Sequence, residues 1–131
     1  MDNIGKINAM SPLTWAYIGD AVYELYIRNY LISTTNLKPN RLHREATKFV
    51  KASSQAKILE VLKEKLTSEE QEVVRRGRNT QTHHLPKNAK PADYMHSTAF
   101  EALIGYLFLT KQENRLQEIL DKVIEINSSL D

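Results

Sequence analysis

Asp20 is the residue that most narrows what this chain can fold into. It follows Gly19 inside Leu13 to Leu31, LTWAYIGDAVYELYIRNYL, a run dominated by apolar and aromatic residues. A carboxylate in such a run is costly to bury unless it is hydrogen-bonded, ion-paired or bound to a cation. The arrangement recurs far along the chain: in Ser97 to Leu109, STAFEALIGYLFL, Glu101 is the only acid. The two runs are expected to pack together, so that Asp20 and Glu101 converge on a divalent metal.

The segments between them read as helices. Ser11-Pro12 is a good start signal, with Ser as N-cap and Pro at the first helical position, and the first helix is expected to reach about Leu31. Pro39 opens a second helix through about Ala52, and Ser53 is placed as the cap of a third, SQAKILEVLKEKL. Thr67 and Glu70 have the spacing of a capping box, beginning a fourth helix that ends near Gly77. Asn79 to Lys90 lacks periodicity and reads as a polar loop. Pro91 begins a fifth helix through about Thr110, and Gln112 to Asn127 forms a sixth. No alternating pattern of useful length marks a strand. The expectation is an all-α, bundle-like domain of about six helices, preceded by a short lead-in over residues 1–12.

With 131 residues the chain is long enough for one domain, residues 1–131, with its own core. The lack of cysteine excludes disulfides and thiolate chemistry. The amino terminus has no basic segment followed by an apolar one, so no secretory signal is expected. Asp20, Glu24 and Glu101 interrupt the longest apolar runs, which argues against a membrane span and makes the cytoplasm the expected location. The net charge of +2 is unevenly distributed. Between Val73 and Ala92 stand Arg75, Arg76, Arg78, Lys87 and Lys90 with no acid, leaving 13 Lys/Arg against 16 Asp/Glu elsewhere. A basic stretch interleaved with Asn, Gln and His suits a polyanion.

Small neighbours surround both acids: Ala16 and Gly19 near Asp20; Ser97, Thr98 and Gly105 on the side of Glu101. They let two helices approach closely and leave room for an ion and its waters. Mg²⁺ takes oxygen ligands and often only one or two protein carboxylates. Against this stands the plainer reading that each acid pairs with an arginine or caps a helix. Arg75, Arg76 and Arg78 suit bidentate phosphate contact, and Lys87 and Lys90 point-charge contact; an ordinary solvated loop is the alternative. Adjacent His83 and His84 match no metal-ligand spacing, which leaves RNA contact or plain exposure. Glu24 reads as a surface salt-bridge partner, and Trp15, Tyr17, Tyr23 and Tyr26 as core or interface residues.

Tyr17-Ile18-Gly19-Asp20-Ala21-Val22 resembles the signature motif of the ribonuclease III family. Ser97-Thr98-Ala99-Phe100-Glu101-Ala102-Leu103-Ile104-Gly105 resembles the second acidic motif of that family. Val50 to Ser53 and Arg76-Gly77-Arg78 fall where the family has similar segments. The likeness covers most of the chain and points to the short bacterial branch that lacks a double-stranded-RNA-binding domain, whose members mature 23S ribosomal RNA precursors. It implies an all-α, metal-dependent endonuclease using Mg²⁺, or Mn²⁺ in its place. It further implies a homodimer formed through the signature helix, acting on an RNA duplex, with ribosomal proteins as further partners on the precursor. Asp20 and Glu101 match two family acids, as catalytic residues and metal ligands, whereas Ala16 and Thr98 occupy the positions of two others. That departure leaves a non-catalytic double-stranded-RNA-binding module on the same scaffold as the alternative.

Overall fold

The structure, a computed structural model, describes residues 3–80 and 90–130. Among these it holds seven helices and no strand: α1 (Ile4–Ala9), α2 (Pro12–Thr34), α3 (Pro39–Val50), α4 (Ala52–Leu62), α5 (Ser68–Asn79), α6 (Pro91–Leu109) and α7 (Glu113–Ser128). A single 3₁₀ turn, Lys63–Lys65, ends α4. The all-α expectation holds.

α6 is the axis of the molecule. From Ser97 to Leu107 every residue except Glu101 is buried, as expected of a helix that is apolar nearly all round. α2, α4 and α5 pack around it, with α2 making the most extensive contact. The α2–α6 crossing is set by two glycines. A β-carbon on Gly19 would collide with the backbone carbonyl of Glu101 and lie 2.8 Å from Gly105 N. One on Gly105 would collide with the carbonyl of Trp15 and lie 3.0 Å from Gly19 N. The helices therefore touch backbone to backbone, and Asp20 and Glu101 stand beside the point of contact.

The short lead-in expected over residues 1–12 contains a helix that the sequence did not mark. Residues 4–9 form α1, held by tertiary contacts rather than by length. Ile7 is buried and its carbonyl accepts a hydrogen bond from the Trp15 indole at 2.9 Å. Asn8 accepts one from the Tyr106 hydroxyl at 2.7 Å. Other boundaries differ by a turn or less. α2 runs on to Thr34, and the break between α3 and α4 falls at Lys51, whose backbone is extended. Ser53 therefore lies inside α4 and is not its cap; Lys51 takes that position without a side-chain hydrogen bond.

The capping box at the start of α5 is formed in full. Thr67 Oγ1 accepts from Glu70 N at 3.1 Å, and Glu70 accepts from Thr67 N at 3.0 Å. Glu70 also ties α5 to α7 through two hydrogen bonds from Arg115, each 2.8 Å. Burial works against the charge on Glu70, but the bonds from Arg115 and Thr67 outweigh it and hold the carboxyl below its ordinary range.

Candidate active site

Asp20 and Glu101 line one cleft, of about 550 Å³, together with Ala16, Tyr17, Ser97 and Thr98. Local sequence explains the convergence. Asp20 follows the crossing glycine of α2, and Glu101 lies one turn before the crossing glycine of α6. Tyr94, Ser97, Thr98 and Glu101, spaced by three and four residues, place one face of α6 along the cleft. Ala16 and Thr98 occupy this floor as small buried residues, and the Thr98 hydroxyl turns back to the Tyr94 carbonyl at 3.0 Å.

The two acids differ in setting. Asp20 is exposed at the mouth, while Glu101 is half-buried. The Glu101 carboxyl is pushed up from 4.5 to about 8. Burial is the largest cause, followed by the charge of Asp20; a hydrogen bond from Gln55 works the other way. The pair thus repels itself in the absence of a cation. Among the described residues, no Lys or Arg forms an ion pair with either acid. The salt-bridge reading of Asp20 and Glu101 therefore has no partner there, whereas Glu24 is paired as expected, with Arg28 at 3.1 Å.

The sequence reading missed Gln55. It lies on α4 with 1% exposure, donating from Nε2 to Glu101 Oε2 at 3.2 Å and to the Val50 carbonyl at 2.9 Å. Its only sequence signal is a polar residue at a position where the apolar spacing of α4 calls for burial.

The basic residues separate into distinct groups. Arg75 is exposed and paired with Glu72. Arg76 turns inward: its guanidinium stands 4.7 Å from the Trp15 ring centroid and donates to the Asn8 carbonyl at 3.2 Å. Arg78 and Lys90 are exposed at the end of α5 and the start of α6. His83, His84 and Lys87 lie outside the described residues.

A cleft with paired carboxylates on two crossing helices points to the class of protein. The family profile of the Ribonuclease III domain matches residues 13–112, so the chain belongs to the ribonuclease III family. Within that family it is similar to proteins named Mini-ribonuclease 3. It is 51% identical to a Mini-ribonuclease 3 of Symbiobacterium thermophilum, covering 85% of each chain, and 45% identical to that of Staphylococcus aureus, covering 96% of this chain and 97% of the other. The fold also superposes on the crystal structure of a Fusobacterium nucleatum protein with a TM-score of 0.81 and 30% identity, covering 91% of this chain and 95% of that one. These likenesses place the chain in the Mini-ribonuclease 3 branch.

Proposed function

We propose that this protein is a metal-dependent endoribonuclease that hydrolyses phosphodiester bonds in double-stranded RNA, with the 23S ribosomal RNA precursor stem as its cytoplasmic substrate. The observation that carries this reading is the cleft in which Asp20 and Glu101 face each other without a cationic partner among the described residues. The donor chemistry fits a hard divalent cation: oxygen ligands, one exposed and one half-buried, whose mutual repulsion a cation would relieve. Asp20 and Glu101 would hold Mg²⁺, or Mn²⁺ in its place. The ion supplies Lewis-acid activation of water and charge stabilisation at the phosphate.

The chain's own residues do the rest. Asp20 and Glu101 fix the cation site at the helix crossing, and the small side chains of Ala16, Ser97 and Thr98 leave room for a backbone phosphate. Arg78 at the end of α5 and Lys90 at the start of α6 supply phosphate contacts, and His83, His84 and Lys87 are proposed as further RNA contacts. Arg75 adds to this surface when it leaves Glu72. A-form RNA is read largely through phosphates, 2′-hydroxyls and shape, which such a surface suits. The protein acts as a homodimer through the exposed apolar face of α2, where Tyr17 is 82% and Leu25 71% exposed, and ribosomal proteins on the precursor assist it.

The test is cleavage of a 23S precursor stem with Mg²⁺ and with EDTA, for the parent and Asp20→Asn. Metal-dependent cleavage by the parent, with the variant still binding RNA but inert, is expected. Binding without cleavage by both proteins would instead assign the chain to the RNA-binding alternative.

A further inference from the structure

Gln55 is the one buried side chain whose hydrogen bonding is incomplete among the described residues. Its Oε1 is fully enclosed and has no partner. The amide cannot be turned to satisfy it, because both neighbours of Nε2, the Val50 carbonyl and Glu101 Oε2, are acceptors. Turning the amide would set oxygen against oxygen. A buried carbonyl without a partner is destabilising, and an apolar side chain of the same shape would avoid that cost. The bond to the Val50 carbonyl accounts for one amide hydrogen; it does not account for the other, which meets Glu101. The Val50 carbonyl, at the end of α3, anchors one amide hydrogen and leaves the other aimed at Glu101 from the side away from the cleft mouth.

We infer that Gln55 is a positioning residue, which holds the Glu101 carboxylate in the orientation that lets it share a divalent cation with Asp20. The inference rests on the metal reading of the site. A site with two carboxylates has few ligands to define its geometry, so the orientation of each matters more. Side chains that orient metal ligands from behind typically change metal affinity 10–100-fold when removed. Gln55 is suited to this role because it is neutral: a second buried acid there would add to the repulsion that Asp20 already exerts on Glu101.

The experiment is a calorimetric titration of RNA-free protein with Mn²⁺, for the parent, Asp20→Asn, Gln55→Met and Gln55→Leu, with a melting temperature for each. Gln55→Met keeps the side-chain length and removes the orphaned carbonyl together with the donor to the Val50 carbonyl; the two effects oppose each other, and the variant is expected to fold with a melting temperature near that of the parent. Its affinity for Mn²⁺ should fall about tenfold or more. Cleavage of an RNA duplex should then need correspondingly more Mg²⁺, with the rate approaching that of the parent at saturating metal. Folded Gln55 variants that bind Mn²⁺ as the parent does would overturn the inference and leave the proposed function intact. Gln55→Leu decides the matter in the same way if Gln55→Met does not fold, and failure of both to fold would make Gln55 a core residue only. A parent that binds Mn²⁺ no better than Asp20→Asn would remove the metal reading itself, and the role of Gln55 with it.

Discussion

At the scale of single residues, a methyl group separates two outcomes. Gly19→Ala would drive its β-carbon into the Glu101 carbonyl. That carbonyl belongs to helix backbone, so relief requires α2 and α6 to move apart and disturb the buried face of α6. A loss of about 3 kcal/mol or more is expected in urea unfolding. Gly5→Ala in α1 meets nothing within 4 Å and should be neutral or stabilising by about 0.5–1 kcal/mol. If the two substitutions behave alike, the glycine crossing is not what sets the helix approach. Glu101 makes a second prediction. Its carboxyl is raised from 4.5 to about 8, first by burial and then by Asp20. Between those values the folded metal-free protein keeps a proton that the unfolded chain has released. Stability should therefore fall as pH rises through this window and level off above it. Glu101→Gln removes the titrating group and should flatten the slope. Urea unfolding in EDTA from about pH 5 to 9 measures both; an equal slope in the variant would show that other groups set it.

At the scale of elements, Arg76 and Arg78 look equivalent in sequence but sit in different places on α5. Arg76 lies over Trp15 and reaches Asn8, joining α5 to α1 and α2. Arg78 is exposed near the cleft-lining helix. Arg76→Ala should destabilise the protein by about 1 kcal/mol or more, while Arg78→Ala should leave the melting temperature unchanged. Arg78→Ala should weaken RNA binding and reduce its salt slope by about one; the opposite assignment of the two effects would refute this division. The same pair shows what was legible beforehand. A charge run gives the sign of a segment but not which side chain faces the core, because that depends on partners such as Trp15 and Asn8, over 60 positions away. Helices with local signals were legible: Ser11-Pro12, Pro39, Pro91 and the Thr67–Glu70 box mark their starts in both sequence and structure. α1 was not, since six residues carry too little periodicity and its stability comes from Trp15, Arg76 and Tyr106. The α6–α7 break falls where the sequence placed it, between Thr110 and Gln112, although Lys111 takes a left-handed φ of 59° where a glycine would be the usual signal. In the site itself, the two acids stood out because each interrupts an apolar run. Gln55 did not, because one amide in a mixed helix gives no hint of the carboxylate it meets 46 positions later.

At the scale of the whole molecule, α2 presents two faces with different fates. One buries Trp15, Tyr23, Ile27 and Leu31 against the rest of the fold. The other leaves Tyr17, Leu25 and Ile32 exposed, and Leu25 borders an open groove of about 1060 Å³ with Phe108 and Leu116 on its far wall. The sequence showed a helix apolar nearly all round but could not divide these residues between core and surface. Apolar side chains this exposed on one continuous face are the usual mark of an association surface. A second copy is the occupant under the proposed homodimer, which would present one cleft to each strand of a duplex. Leu25→Glu should therefore leave the monomer fold intact, since Leu25 makes little core contact, while placing a charge at the centre of the face. The parent is expected to sediment at about twice the 15.1 kDa chain mass, and Leu25→Glu at the chain mass. The melting temperature of the parent, but not of the variant, should rise with protein concentration. Cleavage by the variant should fall on both strands together, because losing the partner removes the paired site and the RNA contacts that two subunits make jointly. If the variant remains a dimer, the α2 face is not the interface, and the two clefts must be brought together through another surface.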